Sequence, residues 1–549
     1  MVKKKTSLYT SATLNGGWLL YTIDIALWLH KSDGYEEVTV NCVSNNNHLN
    51  FFRLFLQLKN FSNYLNVKKF KNFFTFSSAK KVKASELSNF ALGRLDYANL
   101  VIGDLRIKFI RIKISKKKLD FDFISIIHRV IADYFKYFKK SALKQKLYLK
   151  YQVSNIYAGL HILSEALRSD YRSYGSIFHC RLGILTALYK LHSSLNSYKK
   201  IVLPRETNTF VCGPAQEYIY GFFSRFLSDQ GACFIDISCT QAPFIKQNLK
   251  DKYYSRLKIY RLKNDDMIPD KQKIFDYYKT RIEFPWLSLD YMHFLKNKKV
   301  TDKKIINIKG LTVILYLHSF TDAQYYYGYD GYNDLMHWAL RTVHILNSNK
   351  HVSRIIIKPH PGINPIHHPG DAIANKYLKS KSLQLEKVQW ADFHFDVNHF
   401  KSSELLVGVT HHGSVAEELV FSKIPVIAST NAPWGKEYKF GYWWNNQKEY
   451  ENLISSKSIT NLVVTNAQID ELCRYAKDQY FNINSDVNFQ IDSSWQDMLK
   501  IYDKEDCHEH SQNMEQINYL ISELEPEEKK FKEYIAKRIH RINLLSSKR

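Results

Sequence analysis

Two short apolar runs, each followed at once by a turn that contains histidine, constrain the fold of this chain more than any other feature. Residues 355–357 lead into a Lys-Pro-His-Pro-Gly turn, and residues 405–409 lead into a Thr-His-His-Gly-Ser turn. Apolar runs of this length are typical of buried strands, and the spacing after the second turn predicts a helix. In a parallel sheet such turns lie side by side at the carboxyl ends of the strands, where ligands bind.

The length and composition of the chain predict a folded protein of two domains. Its 549 residues, of which 45% are apolar, exceed what one hydrophobic core ordinarily holds. The chain becomes polar and lysine-rich at about 265–309, where we place the interdomain linker. We therefore predict a first domain over 1–300, a second over 301–490, and a charged helical tail over 491–549.

Strands and helices alternate in both predicted domains, which is typical of α/β folds with parallel sheets. In the first domain we predict strands over 7–12, 37–43, 99–104, 106–114, 199–203 and 232–237, with helices over 18–30 and 214–230. In the second we predict strands over 311–317, 354–357, 404–409 and 424–428, with helices over 332–347 and 414–422. Asn15, Gly16 and Gly17 form the first strand-to-helix turn, where glycine lets a ligand approach, although turn chemistry alone also explains them.

The charge of the chain indicates an anionic partner. Lysine and arginine exceed aspartate and glutamate by 78 − 53 = 25. Nucleic acid, acidic phospholipid, an anionic glycan and a sugar nucleotide would all be attracted to such a surface, and a biased composition also produces this charge. Residues 51–83 and 116–150 interleave lysine with aromatic residues, which favours amphipathic helices with a buried aromatic stripe over stacking on single-stranded nucleic acid.

The cysteines and the amino-terminal residues indicate a cytoplasmic protein. Seven scattered cysteines without a CxxC pair predict neither a disulfide framework nor a four-ligand zinc site. The apolar run over 18–29 is interrupted by Asp24, so we predict no export signal and no transmembrane helix.

The first histidine turn has the residue types that bind a phosphate. His360 is held between Pro359 and Pro361, and a ring N–H in this position donates to a phosphate oxygen. Lys358 adds positive charge beside it. The alternative is a histidine with a structural role.

Two interpretations of the second turn stay open. Gly413 permits close approach of a ligand, and Ser414 and the helix that follows offer a hydroxyl and free amides to a phosphate. A capping box formed by Ser414 and Glu417 explains the same residues without a ligand.

The segment over 413–427 resembles the donor-site signature of GT-B glycosyltransferases, in which a glutamate on this helix holds the ribose and a Pro-Val strand follows. Glu418 and Pro425 fit that pattern, whereas the family usually has glycine near the position of Lys423. The Lys-Pro-His-Pro turn and residues 315–323 are similar to bacterial capsule polysaccharide biosynthesis proteins, a group that includes Kdo transferases. Such histidine motifs also occur in bacterial sialyltransferases, which use CMP donors.

The resemblance implies a GT-B fold, in which two Rossmann-like domains with parallel sheets face a central cleft. It implies transfer of a sugar from a CMP- or UDP-linked donor to a surface polysaccharide or glycolipid, without a metal or other cofactor. The donor-binding residues would be His318, Lys358, His360, Pro361, His412, Gly413, Ser414 and Glu418, with Asn15, Gly16 and Gly17 on the acceptor side. A catalytic base is not identified by its motif. Asp24 and Asp322 are the candidates, followed by Asp104 and Glu206, and each of them is alternatively a solvated surface carboxylate.

Two metal-binding patterns are set aside. Asp120-Phe121-Asp122 lies in a basic amphipathic stretch, and Cys507-His508-Glu509-His510 lies in the charged tail. Two other functions stay open: a CDP-polyol phosphotransferase or sugar-nucleotide epimerase on the same fold, and a basic nucleic-acid-binding protein, although nucleic acid is the less favoured partner. The basic surface also fits peripheral attachment to an anionic inner membrane, whereas the apolar stripe of the tail favours docking on protein over lipid.

Overall fold

The computed structural model describes residues 4–10, 22–44 in part, 97–113, 121–236, 246–247, 271–283, 310–360, 369–391 and 405–477, with short gaps inside some of these ranges. The predicted tail over 491–549, the basic stretch over 51–83 and the Cys507–His510 cluster lie outside them. Among the helices of the described ranges, none is long and apolar enough to cross a membrane.

The first sheet is mainly parallel. Within the described residues its strands run in the order β3-β4-β2-β1-β7-β8-β9. Neighbouring strands from β4 to β8 are parallel, and only the edge strands β3 and β9 are antiparallel. The strands are β1 (Lys5–Thr10), β2 (Glu37–Ser44), β3 (Tyr97–Ile102), β4 (Leu105–Lys113), β7 (Thr209–Gly213), β8 (Cys233–Asp236) and β9 (Lys246–Gln247).

Residues 121–198 form a helical segment between β4 and β7. Its helices are α1 (Phe121–Asp133), α2 (Lys140–Lys144), α3 (Gly159–Ser169) and α4 (Arg181–Tyr198), with the short hairpin β5 (Gln152–Val153) and β6 (Ile156–Tyr157) between them. Tyr134, Phe138 and Tyr148 are buried in its core. The amphipathic interpretation of 116–150 is therefore confirmed for these residues, whose rings lie inside the protein where no base can stack.

One predicted strand of the first domain is wrong. The sequence predicts a strand over 199–203, but α4 extends to Tyr198 and the next strand among the described residues begins at Thr209. Ile201 and Leu203 are apolar because they pack against the core of the helical segment as part of a connection. The helix after β7 is α5 (Tyr218–Asp229), which falls within the predicted range.

The second sheet is parallel throughout the described residues and has the order β12-β11-β10-β13-β14-β15. Every residue of the central strand β10 (Leu311–Tyr316) is buried, as expected for a strand covered on both faces. The other strands are β11 (Val352–Lys358), β12 (Val388–Trp390), β13 (Leu405–Val409), β14 (Val426–Ser429) and β15 (Tyr442–Trp444).

Helices cover both faces of this sheet. Val313 and Leu315 of β10 point into one core, which contains side chains of α7 (Leu335–Ser348), α8 (Pro369–Ser382) and α10 (Gln447–Ser455). Ile314 and Tyr316 point into the other, which contains side chains of α6 (Lys271–Glu283), α9 (Val415–Phe421) and α11 (Asn466–Ala476). The predicted fold class, two domains built on mainly parallel sheets, is thereby confirmed.

Helix α6 precedes residue 300 but packs on the second sheet. Ile274 and Tyr278 are buried in the core shared with α9 and α11, and the Lys271 ammonium lies 2.5 Å from the Asp470 carboxylate. The domain bounds at 300 and 490 stay a prediction.

Candidate functional site

Four histidines meet at the carboxyl edge of the second sheet. His318 follows β10, His360 follows β11, and His411 and His412 follow β13. Strand β10 lies between β11 and β13. Since all three strands are parallel and pair regularly from Thr312 onward, their ends bring residues of three separate segments together. We refer to these four side chains as the histidine cluster.

The rings of the histidine cluster are in contact. The ring centroids of His318 and His412 are 4.1 Å apart, those of His318 and His360 are 5.5 Å apart, and those of His411 and His412 are 4.9 Å apart. His411 and His412 are buried, whereas His318 and His360 are partly exposed. The cluster therefore extends from the interior to the surface of the sheet edge.

His411 is held by a carboxylate and by two tryptophans. Its Nε2 lies 2.6 Å from the Oδ2 atom of the buried Asp330, and its Nδ1 lies 2.7 Å from the Nδ1 of His412. Trp338 and Trp444 pack edge-on against its ring, with centroids 5.3 and 5.4 Å away. The ring therefore has one orientation and two hydrogen-bond partners.

His412 has a low basicity. Burial, followed by the neighbouring His318, His411 and His360, lowers the pKa of His412 well below its ordinary value. Its Nε2 has no hydrogen-bond partner among the residues that the structure describes. The ring of Tyr327, partly exposed itself, lies 5.3 Å from that of His412.

A loop over 317–334, which we call the bridging loop, positions both His318 and Asp330. The Oδ2 atom of Asp371, in the first turn of α8, accepts a hydrogen bond from Ser319 at 2.6 Å. Its Oδ1 accepts from the backbone N–H and the hydroxyl of Thr321, at 2.9 and 3.0 Å. These bonds fix the chain directly after His318.

The other side of the bridging loop packs on the helical segment. Tyr325 is buried in the core of that segment. The backbone N–H of Ile177 and the hydroxyl of Ser176 donate to Asp334 at 3.0 and 3.2 Å. Lys146 donates to the carbonyl oxygen of Gly331 at 2.8 Å. One loop thus contacts both the first half of the chain and the histidine cluster.

The capping box predicted after the second turn does not form. Helix α9 begins at Val415, and the side chain of Ser414 makes no capping hydrogen bond. Glu417 is buried instead, and its Oε2 accepts a hydrogen bond from the hydroxyl of Tyr278 at 2.9 Å. With seven residues, α9 has a small dipole, so its amino end alone is a weak anion site.

Gly413 lies in a confined position beside the cluster. A Cβ atom at this residue would lie 2.8 Å from the Oγ1 of Thr410. Glycine is therefore required for packing here. Ser414 and Glu418 are partly buried, as is Lys358, whose ammonium lies 5.8 Å from the centroid of the Tyr316 ring.

Lys423 adopts the left-handed conformation at the end of α9, with φ of 60°. The backbone N–H of Ile424 donates to the carbonyl of Leu419 at 2.8 Å, and that of Lys423 donates to Val420 at 2.9 Å. This is the hydrogen-bond pattern of a Schellman motif, in which glycine usually occupies the left-handed position. The lysine therefore departs from the usual residue but keeps the usual geometry.

The structure brings together His318, Lys358, His360, His412, Gly413, Ser414 and Glu418 on the end of one sheet or the helix after it. The remaining predicted site residues are not among the residues that the structure describes: Asn15, Gly16, Gly17, Asp24, Asp104, Glu206, Asp322 and Pro361. Within those ranges, no three histidine, cysteine, aspartate or glutamate side chains have the arrangement that a metal ion needs. Three further residues lie at this edge and were not predicted as site residues, since their only signal in the sequence is a place in turns after strands: Asp330, His411 and Tyr327.

No protein-family model and no curated protein matches the chain. Solved structures similar to it include a trehalose-phosphate synthase from Burkholderia multivorans, at 10% identity, covering 91% of this chain and 98% of that one, with a TM-score of 0.29. A glycosyltransferase from Rickettsia africae has 11% identity over 91% and 98% of the two chains and a TM-score of 0.24. A trehalose-phosphate synthase from Burkholderia xenovorans has 9% identity, with 91% of this chain and 99% of that one covered and a TM-score of 0.27. At TM-scores this low the likeness carries no argument about activity.

Proposed function

We propose that the protein is a GT-B glycosyltransferase that transfers a sugar from a nucleotide-activated donor, CMP- or UDP-linked, to a glycan or lipid-linked acceptor. One observation carries the proposal: the ends of three adjacent parallel strands converge on the histidine cluster. The carboxyl edge of a parallel sheet is where α/β proteins bind nucleotides. The predicted central cleft between the two domains is part of what we propose.

His360 and Lys358 are the donor-phosphate ligands in this proposal. Both are partly exposed at the end of β11. A histidine N–H and an ammonium stabilise the negative charge that grows on the phosphate as the glycosidic bond breaks. His318, whose ring lies 5.5 Å from that of His360, borders the same space. Side chains thus stabilise the charge on the leaving group, and for this reason we predict that the transfer needs no metal ion.

The residues after β13 hold the nucleoside part. Gly413 lets the backbone of this turn come close to the nucleoside, and Ser414, whose side chain makes no capping hydrogen bond, presents its hydroxyl beside it. Glu418 is partly exposed on the following helix and accepts hydrogen bonds from the ribose hydroxyls. The acceptor side, with Asn15, Gly16 and Gly17, completes the site from the first domain.

Two other activities of the same site are tested by their products. A CDP-polyol phosphotransferase transfers phosphate together with the polyol, and an epimerase needs no acceptor and releases no nucleotide. The nucleic-acid-binding alternative loses part of its support over 116–150, because Tyr134, Phe138 and Tyr148 are buried, whereas Phe135 is exposed. The excess of 25 positive charges supports an anionic glycan acceptor or attachment at the cytoplasmic face of an anionic membrane.

A thermal-shift series with CMP, CDP, UDP and GDP tests the proposal. A nucleotide at 100 times its Kd stabilises the native state by about 2.7 kcal/mol, so the favoured nucleotide raises Tm by several degrees. His360→Ala and Glu418→Ala should abolish that shift. The matched controls are His344→Ala and Glu437→Ala, which remove exposed side chains of the same types far along the chain from the cluster.

The outcome that contradicts the proposal is clear. If none of the four nucleotides raises the Tm of the wild-type protein, or if His360→Ala and Glu418→Ala respond like their controls, the donor site is not at the histidine cluster. Incubation of the stabilising nucleotide's sugar conjugate with glycan acceptors, followed by mass analysis of the products, then identifies the reaction.

A further inference from the structure

Asp330, His411 and His412 form a hydrogen-bonded chain that phosphate binding does not use. The chain begins at the Asp330 carboxylate, whose Oδ1 accepts a hydrogen bond from the backbone N–H of Tyr332 at 3.2 Å. Its Oδ2 faces the Nε2 of His411 at 2.6 Å. When Asp330 is ionised, both of its oxygens are acceptors, and the hydrogen between Asp330 and His411 is carried by the imidazole.

The contact between Asp330 and His411 determines which nitrogen carries the hydrogen between His411 and His412. A neutral imidazole that carries its hydrogen on Nε2 has a lone pair on Nδ1. The Nδ1 of His411 is therefore an acceptor, and the hydrogen in its 2.7 Å contact with His412 comes from the Nδ1 of His412. It follows that the Nε2 of His412 has no hydrogen and offers its lone pair on the side of the ring away from His411.

That lone pair is buried, and within the described residues it has no partner. The side chain of His412 is 5% exposed, and the rings of His318 and Tyr327 lie beside it. An acceptor atom without a donor inside a protein is unfavourable by about 1–3 kcal/mol. A hydroxyl group of a ligand would supply the missing donor.

We propose that the Nε2 of His412 is the proton-accepting atom of the site, and that Asp330 and His411 are positioning residues that hold the charge it receives. The ligand group is the acceptor hydroxyl, so this inference rests on the proposed glycosyl transfer. It replaces Asp24 and Asp322 as the base and removes His412 from the donor-phosphate ligands, because a bare ring nitrogen repels a phosphate oxygen.

The proton transfer balances along the chain. The acceptor O–H bond breaks as an N–H bond forms at Nε2 of His412, and the hydrogen on its Nδ1 moves to the Nδ1 of His411. The acceptor oxygen forms a bond to the anomeric carbon, and the bond from that carbon to the donor phosphate breaks, with its electron pair leaving on the phosphate. The positive charge ends on His411, beside the Asp330 carboxylate.

The surroundings of the cluster favour proton transfer from His412 to His411. His318, His360 and His411 all face His412, and burial with these neighbours lowers the pKa of His412 well below its ordinary value. A cation on His412 would be poorly tolerated, whereas a cation on His411 forms an ion pair with Asp330. The neutral, proton-accepting form of His412 is therefore the resting form at neutral pH.

Asp330→Asn reverses the direction of hydrogen-bond donation along the series Asp330, His411 and His412. The Tyr332 N–H keeps the amide oxygen at the Oδ1 position, which places the amide nitrogen opposite the Nε2 of His411. That nitrogen donates, so His411 must carry its hydrogen on Nδ1 and donate it to His412. The Nε2 of His412 then bears the hydrogen and loses its ability to accept a proton.

The first measurement is nitrogen NMR of the full chain labelled with ¹⁵N-histidine, with the His412 signals identified by their loss in His412→Gln. The wild-type protein at neutral pH should show a bare Nε2 and a protonated Nδ1 on His412, and Asp330→Asn should show the opposite tautomer. A protonated Nε2 in the wild type, or the same tautomer in both proteins, overturns the proposal. This result is independent of whether a donor sugar has been found.

The second measurement is the kcat and the donor KM of the transfer reaction. Asp330→Asn should lower kcat about 10²–10⁴-fold with the donor KM unchanged, because it removes proton acceptance and leaves phosphate binding intact. Asp170→Asn is the matched control, since Asp170 is a buried carboxylate that accepts backbone hydrogen bonds in the helical segment. Equal losses of kcat in the two variants overturn the inference, whereas failure of the proposed function appears as absence of nucleotide binding in every protein.

Discussion

The hydroxyl of Tyr278 donates a hydrogen bond to the buried carboxylate of Glu417 across 139 residues of sequence. The bond joins α6, which precedes the second sheet in the chain, to α9, which follows the His411-His412-Gly413 turn. Burying a carboxylate is unfavourable unless its oxygens accept hydrogen bonds. Tyr278 therefore stabilises the helix that adjoins the candidate donor site.

Tyr278→Phe should destabilise the protein by about 1–3 kcal/mol, because it removes the hydroxyl that donates to the buried carboxylate of Glu417. Urea unfolding measures the change. Tyr171→Phe, which removes the hydroxyl of an exposed tyrosine, is the control and should change the free energy of unfolding by less than about 0.5 kcal/mol. Equal effects of the two substitutions would show that the bond contributes nothing.

Lys423→Gly should stabilise the protein by about 0.5–1 kcal/mol, because glycine adopts a φ of 60° without the strain of a side chain. The control is Lys376→Gly, at an exposed position inside α8, which should destabilise it by about 1 kcal/mol. The two signs are opposite for the same chemical change. Loss of stability in both variants would contradict the left-handed assignment of residue 423.

The pKa of Asp334 predicts a dependence of stability on pH. Burial raises this pKa from its ordinary value of 3.8 to about 6. The native state thus binds the proton more tightly than the unfolded chain, so the stability from this group is fully present below pH 3.8 and is lost as pH rises through 6. The change corresponds to roughly 3 kcal/mol.

Asp334→Asn should remove that dependence. The difference in free energy of unfolding between the wild type and this variant should move in favour of the variant as pH rises over the window from 3.8 to 6. Chemical denaturation at a series of pH values measures it. A difference that stays constant over the window would mean that the contacts with Ser176 and Ile177, rather than burial, dominate the pKa of this carboxyl group.

Gly413→Ala should weaken nucleotide binding and lower stability by about 1–3 kcal/mol, because its Cβ would lie 2.8 Å from the Oγ1 of Thr410. The double variant with Thr410→Ala removes the opposing atom. It should recover part of the stability, giving a favourable coupling between the two positions in a double-mutant cycle. Strict additivity of the two changes would show that the clash is absent.

The second sheet was the most predictable part of the fold. Its strands β10, β11 and β13 are continuous apolar runs that end in glycine, proline or histidine turns, and the predicted bounds agree with the structure to within a few residues. Strands β12 and β15 were missed because each has three residues, too few for a periodic pattern. The run over 199–203 misled because short apolar connections and short strands look alike in sequence.

The convergence of His318, His360 and His412 was also accessible from sequence, since each follows a predicted parallel strand. The partner of His411 was not, because Asp330 lies 81 residues away in a loop without periodicity. The capping box failed for a similar reason: Glu417 has a tertiary partner, Tyr278, that no local pattern reveals. Local sequence patterns identified the site residues, and long-range contacts determined their partners.

The bridging loop connects the helical segment of the first half of the chain to the histidine cluster of the second half. Tyr325, embedded among the helices over 121–198, and Asp330, in contact with His411, are five residues apart. A displacement of those helices therefore changes the distance between a carboxylate and an imidazole on the far side of the loop. The packing of the helical segment and the geometry of the Asp330–His411 hydrogen bond are thus connected through a few residues of one loop.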